Sequence, residues 1–94
     1  MSRKVLLLPL AHQDQVRLEA FLERKSPKAA LRAALAISNV VLSLAENAER
    51  GLLISKRGVR ELPVRFGRDG YVIQYAVGDT AVLVIRIFHA RENR

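Results

Sequence analysis

Cysteine and tryptophan are absent from this 94-residue chain, and its only aromatic side chains are two tyrosines and three phenylalanines. Without thiols there can be no disulfide framework and no thiolate metal site, a composition that fits a reducing cytoplasm. With so few rings, the core has to be built from Leu, Val, Ile and Ala. The two histidines, His12 and His89, lie far apart in sequence and form no metal-spaced cluster. No nucleotide-binding glycine loop and no serine or cysteine triad can be assembled either. No cofactor, no metal and no catalytic residue is therefore expected.

Long apolar runs are missing too. The segment VLLLPLA near the start superficially resembles a secretory signal, but it is short, is broken by Pro9 and leads straight into an amphipathic stretch; it reads as a buried first strand. Nothing approaches the roughly 20 apolar residues of a membrane span, and no membrane association is expected.

Acidic residues are scarce: nine against sixteen Lys and Arg, a net charge of +7. The imbalance is concentrated in residues 50–94, where nine cations face Glu61, Asp69, Asp79 and Glu92, leaving five of the seven net charges there. Such an excess favours an anionic partner: nucleic acid, a nucleoprotein machine or an acidic protein.

What is present is an ordered series of elements in a single domain, 1–94. Residues 3–9 read as a strand and residues 11–25 as a helix. Ser26-Pro27 then starts a second helix, because serine can accept from an orphan amide and proline in the first turn loses no needed hydrogen bond. That helix is expected to run to about residue 49, with Gly51 as its stop. Ala30, Ala34, Ile37, Val41 and Leu44 form one apolar stripe, and Leu31, Leu35, Leu42 and Ala45 an adjacent one. A helix this apolar is expected to bury two sides, one against the first helix and one against a sheet. On the first helix the apolar positions are Leu18, Phe21 and Leu22, with Arg17, Glu19, Glu23 and Arg24 outward.

LLISKRG, residues 52–58, reads as an exposed lead into the sheet. Residues 58–91 then give three strand patterns. Gly67-Arg68-Asp69-Gly70 joins the first two, its glycines bracketing a polar pair. Pro63 has no ladder N–H to give, so its strand is expected at an edge or with that position aimed away from its neighbour. Gly78-Asp79 has the composition of a two-residue hairpin loop, which sets Val77 opposite Thr80 and puts Tyr75 with Val82, Ile73 with Val84 and Tyr71 with Arg86 on one face. Both faces of this sheet are largely apolar, so each is expected to be covered at least in part. The fold class is thus α+β: an N-terminal strand and a two-helix antiparallel hairpin packed on a C-terminal three-stranded antiparallel meander (β-α-α-β-β-β). His89, flanked by Arg86 and Arg91, is a better candidate for a base than the distant His pair.

The strings RELPVRFGRDGYVIQYAV and VLVIRIFHAR, preceded by a helix ending LSLAENAERG, resemble the ParE branch of the ParE/RelE toxin superfamily of bacterial type II toxin–antitoxin systems. The order of elements is similar over essentially the whole chain. Ala11-x-x-Asp14 resembles the first-helix pattern, although Gln15 follows where leucine is common, and Ala48 replaces the usual proline near the end of the second helix.

The resemblance implies a cytoplasmic toxin, of the kind associated with plasmid stabilization, neutralised by a cognate ParD-like antitoxin. That antitoxin would have a ribbon-helix-helix part, through which alone operator DNA is met, and an acidic tail laid in the groove between hairpin and sheet. Leu18, Phe21, Leu22 and Arg60 are the expected antitoxin contacts. Arg65, Arg86, His89 and Arg91 are the expected target contacts. RelE-like members cleave messenger RNA on the ribosome with a cationic site and a late tyrosine. Arg65 and Arg91 can match two of those cations, but Val72 stands where an arginine is common, Pro63 stands where another cation is expected, and residues 92–94 supply no tyrosine. Each lost charge-stabilising group is typically worth about a hundredfold or more in rate. The resemblance therefore points to inhibition of DNA gyrase rather than to an enzyme. A RelE-like endoribonuclease and a non-toxic, degenerate antitoxin-binding module are the alternatives.

Overall fold

The computed structural model describes residues 2–92. Its elements are strand β1 (Lys4–Leu7), helices α1 (Pro9–Glu23) and α2 (Pro27–Ser43), a 3-10 turn at Ala48–Arg50, and strands β2 (Leu52–Leu53), β3 (Val59–Val64), β4 (Tyr71–Val77) and β5 (Ala81–His89). The sheet order is β1-β5-β4-β3-β2, with β1 parallel to β5 and every other pair antiparallel. The expected α+β architecture is present, including the helical hairpin and the meander. One strand is added, because Leu52 and Leu53 of the segment read as a loop pair with Glu61 and Arg60. No helix among the described residues is long and apolar enough to cross a membrane.

The hairpin joint is decided locally. Ser26 is extended, its Oγ accepts from the Ala29 N–H at 3.1 Å, and Pro27 occupies the first helical turn. α1 likewise starts with proline, at Pro9, two residues earlier than expected. The far end of α2 departs further from expectation, since the helix stops at Ser43, six residues before residue 49. Leu44 and Ala45 close i→i−3 bonds to Val41 and Leu42, the Ala45 carbonyl accepts from the Arg3 N–H, and Arg50 donates to Ser43 Oγ at 2.6 Å. These bonds end the regular helix and turn the chain, while Leu44 and Ala48 both stay in the core. Gly51 is not a left-handed stop: its φ is −73°, and a Cβ there would collide with the Tyr75 hydroxyl, which instead accepts the Gly51 N–H at 2.9 Å.

The core lies between the hairpin and one face of the sheet. Ala11 and Leu18 of α1 and Ala33, Ile37, Val41 and Leu44 near α2 meet Ile73, Tyr75, Val82, Val84 and Ile87. Burial of each large aliphatic side chain contributes about 1.5–3 kcal/mol. Only one stripe of α2 is buried. Leu31, Leu35 and Leu42 are 63%, 54% and 67% exposed, so the expectation that α2 buries both sides is corrected. The helices also cover a single face of the sheet; on the other, the Arg86 guanidinium lies 4.7 Å from the Phe88 ring centre and Gln74 donates to Glu61.

The β4–β5 register differs from the two-residue-loop expectation. Val77 pairs with Val82 and Tyr75 with Val84. Four residues, Gly78 to Ala81, separate Val77 from Val82: the Gly78 N–H donates to the Ala81 carbonyl at 2.8 Å, the Gly78 and Thr80 carbonyls accept from the Arg3 side chain and the Lys4 N–H, and Gly78 does not adopt positive φ. A bulge then follows, since Gln74 pairs with Arg86 and Ile85 is left without an opposite residue. The extra residue reverses the alternation. Ile87 is brought into the core face, and Arg86 is carried off it and away from Tyr71. Pro63 sits beyond the reach of β2, which pairs only with Arg60 and Glu61, so its missing N–H faces an open edge as expected. The Gly67–Gly70 loop also forms, with both glycines at positive φ.

Candidate functional site

On α1 the spacing 17, 18, 21, 22 places Arg17, Leu18, Phe21 and Leu22 on one side of the helix. That side faces the β3–β4 loop and the end of β5 across a cavity of about 660 Å³, lined also by residues 66–71, His89 and Glu92. The walls are largely apolar. Leu18 forms a buried floor, whereas Phe21 is 55% exposed at the rim with Lys25 Nζ 4.6 Å above its ring. Phe66 lies 5.9 Å from Tyr71, and Tyr71 meets His89 edge-on at 5.7 Å. Burial raises the Tyr71 phenol above its ordinary pKa, so the group presents a neutral O–H. His89 Nδ1 accepts the Arg91 N–H at 3.2 Å.

One wall is fixed by a buried carboxylate. β1 ends at Leu7, so beyond Val84 the outer edge of β5 has no strand partner among the described residues. Asp14 of α1 takes the strand's place: its Oδ2 accepts the Ile87 N–H at 2.9 Å and Arg86 Nε at 2.7 Å, and its Oδ1 accepts Arg86 Nη2 at 3.0 Å. Arg17 adds a longer contact at 3.4 Å. Burial alone would raise the Asp14 carboxyl, but the Arg86 hydrogen bonds, the Ile87 amide and Arg17 outweigh it and the net shift is downward. The same pairing raises the Arg86 guanidinium. A buried charge with every lone pair engaged holds α1 at a set height on the sheet.

The expected site residues separate accordingly. Leu18, Phe21, Leu22 and His89 share the cavity. Arg91 stands beside it, 3.8 Å from Asp69 of the lining loop. Arg65 is exposed just after β3, one residue before Phe66, with no hydrogen bond or ion pair among the described residues. Arg86 is bound to Asp14, not to Tyr71. Arg60 is at the other end of the sheet, where its Nη1 donates to the carbonyls of Glu49 and Gly51 at 3.0 and 2.8 Å. Of the stretch in which the late tyrosine was sought, residues 92–94, Glu92 lines the cavity and residues 93–94 lie outside the described residues.

Sequence reasoning missed Arg17, which was placed outward, and Phe66, Arg68 and Glu92 as lining residues. It also missed that Asp14 is the partner of Arg86. The signal for Asp14 was a lone acid at an inward helical position beside Ala11; for the loop residues nothing in the local pattern marks them.

Comparison with known proteins places these features in context. The family model for the ParE toxin of the type II toxin–antitoxin system parDE matches residues 5–94. Toxin RelE3 of Caulobacter vibrioides is 39% identical over 98% of this chain and 99% of its own length, and Toxin RelE1 of the same organism is 34% identical over the full length of both. Among solved structures, a chromosomal ParDE system from P. aeruginosa matches with a TM-score of 0.76 at 19% identity, covering 96% of this chain and 98% of that one. The toxin–antitoxin complex RelBE2 of Mycobacterium tuberculosis matches with a TM-score of 0.64 at 19% identity, covering 98% and 95%. At that identity the structural likeness concerns the fold.

Proposed function

Because the chain belongs to the ParE toxin family, within the ParE/RelE superfamily of type II toxin–antitoxin toxins, we propose that it inhibits DNA gyrase in the cytoplasm and is neutralised by a ParD-like antitoxin whose acidic tail enters the cavity beside α1. The observation that carries the gyrase reading is the pairing of Pro63 with Val72 across β3 and β4. An inert pair fills the strand positions where the superfamily's ribonucleases are expected to hold cations. Arg86, the neighbouring cation on β5, is already bound to a buried carboxylate. Phosphoryl transfer needs cations aimed at developing charge, and these positions offer none. Arg65 and Arg91, on the exposed end of the sheet, are the residues proposed to meet the target, with His89 between them and the cavity.

The cavity supports the antitoxin reading through its composition. Leu18, Phe21, Leu22 and Phe66 give an apolar slot, and Arg17, Lys25 and Arg68 surround it, which suits a tail carrying alternate apolar and acidic residues. The RelE names of the relatives favour a second reading, ribosome-dependent cleavage of messenger RNA. One preparation of purified toxin decides between them. Inhibited supercoiling by gyrase with intact messenger in a reconstituted translation mixture is expected. Site-specific messenger cleavage with normal supercoiling would replace the gyrase reading by the ribonuclease one.

A further inference from the structure

The cavity beside α1 already contains a carboxylate, and it is the protein's own. Glu92, in the turn that follows β5, bends back so that its Oε1 accepts the His89 N–H at 2.8 Å and Arg17 Nη1 at 3.1 Å. The two donors come from elements far apart in sequence, the end of β5 and the middle of α1, yet converge on a single oxygen. A main-chain amide and a guanidinium so arranged form an anion site of the type that recognises carboxylates. The apolar slot formed by Leu18, Phe21, Phe66 and Tyr71 lies alongside. On its rim, among the described residues, Arg68 makes no hydrogen bond or ion pair and the Lys25 ammonium rests on the face of Phe21 alone.

The bond from Glu92 is of the exchangeable kind. The side chains of Arg17 and Glu92 are 48% and 32% exposed, and pairs this open to solvent contribute little net stability. Asp14 provides the contrast within the same network: it is buried, bound on both oxygens, and fixed.

We propose that Arg17 and the His89 amide form a carboxylate-recognition site that Glu92 occupies as an internal ligand. In the complex, an acidic residue of the antitoxin tail displaces it while a neighbouring apolar side chain enters the slot. The occupant is an acidic, amphipathic peptide segment, argued from the cationic rim and from the chemical group that the chain itself places there. The identity of that occupant rests on the antitoxin reading above.

A small probe with the same two features tests the site on the full chain. 4-Phenylbutyrate carries a carboxylate on an apolar stem, and 4-phenylbutyramide is its neutral counterpart; binding is followed by the NMR shifts of the His89 and Gly70 amides. The acid is expected to bind more tightly than the amide. Glu92→Ala should tighten the acid alone by about two- to fivefold, the range that an exposed ion pair supports. Glu92→Gln should do so less, and Arg17→Gln should abolish the preference for the acid. Equal affinity for acid and amide, or unchanged or weaker binding of the acid by Glu92→Ala, overturns the site. If the probe behaves as expected but the co-produced antitoxin is indifferent to Phe21→Ser, the antitoxin reading fails. If the antitoxin depends on Phe21 while the probe shows no preference for its acid form, the carboxylate site fails and the antitoxin reading stands.

Discussion

The two ends of the sheet both carry arginines over a cavity, and they use them differently. At the β4–β5 hairpin end, a polar hollow of about 470 Å³ is lined by Arg3, Glu49, Arg60 and Asp79. There Arg3 binds Glu49 and the Gly78 carbonyl, and Arg60 binds two carbonyls of the turn before β2. At the other end, beside the apolar cavity of α1, the cations themselves are the exposed partners: Arg17 and Arg91 reach Glu92 and Asp69 with 48% and 69% of their own side chains open to solvent, and Arg68 has no partner among the described residues. A count of basic residues cannot distinguish these ends, but the partners of each cation can. The hairpin end uses charge to close loops, and the α1 end keeps it for something else. Arg60, expected as an antitoxin contact, lies at the hairpin end with its guanidinium on two carbonyls that the sequence does not reveal.

The largest effect expected on breaking this contrast is at the seam between the two kinds of use, Asp14. Asp14→Ala removes the group that terminates the edge of β5 and leaves the Ile87 N–H and Arg86 without their acceptor. It should cost about 3–5 kcal/mol, read as a shift in urea midpoint. Arg86→Ala should cost somewhat less, about 3 kcal/mol, because Arg86 keeps some solvent contact and a buried Asp14 can be protonated. The pH dependence has a fixed sign. The folded pKa of Asp14 lies below its unfolded value near 3.8, so its contribution is present above that value and is lost as pH falls further. Asp14→Ala should therefore flatten the acid limb of the stability curve below about pH 4. An acid limb identical to that of the parent protein would remove Asp14 from its assigned role.

Next in size is Phe21→Ala. The ring is half exposed in the free protein, so stability should move by less than about 0.5 kcal/mol. Antitoxin affinity should fall by about 2 kcal/mol, roughly thirtyfold, if an aromatic at the rim of an apolar slot acts as an anchor. Calorimetric titration and thermal melting on the same sample separate the two quantities. A large loss of stability with unchanged affinity would make the α1 end structural, like the hairpin end.

How much of this was legible in the sequence depends on how local the determinants are. The start of α2 was legible because Ser26, Pro27 and Ala29 settle it among themselves. So was the Gly67–Gly70 loop, where both glycines take positive φ. The end of α2 was not, because Arg3 and Arg50 determine it from 42 and 7 residues away, as measured from Ala45 and Ser43. The bulge at Ile85 was also hidden, since a period-two pattern of apolar residues does not reveal where one residue is skipped. That single skip moved Arg86 and Ile87 to opposite faces. For the cavity, spacing puts Leu18, Phe21 and Leu22 on one apolar helical face and the resemblance marks them as contacts, whereas Phe66, Arg68 and Glu92 lie on irregular backbone where spacing carries no information.

The two tyrosines of β4 offer a smaller and cleaner comparison. Tyr75 is fully buried and its hydroxyl accepts the Gly51 N–H, closing the turn before β2. Tyr75→Phe leaves that amide unpaired and should cost about 1–2 kcal/mol. Tyr71 lines the α1 cavity and makes ring contacts to Phe66 and His89. Tyr71→Phe keeps those contacts and should change stability by less than about 0.5 kcal/mol. Equal costs for the two substitutions would mean that the Tyr71 hydroxyl has a partner as important as Gly51.

The smallest expected effect is the most direct test of the contrast between the two ends. Arg68→Ala removes a rim cation with no internal partner among the described residues, so the free protein should not change in stability. Antitoxin binding should weaken by about two- to fivefold, chiefly through a slower association rate, because an exposed rim charge steers more than it anchors. The difference should shrink in about 1 M salt, where screening reaches only about 3 Å. Arg60→Ala should show the converse: a loss of stability from the two carbonyls it leaves unpaired, and an association rate equal to that of the parent protein at every salt concentration. If Arg60→Ala slows association as much as Arg68→Ala does, the long-range field of the whole chain governs recognition, and the partners of individual cations do not.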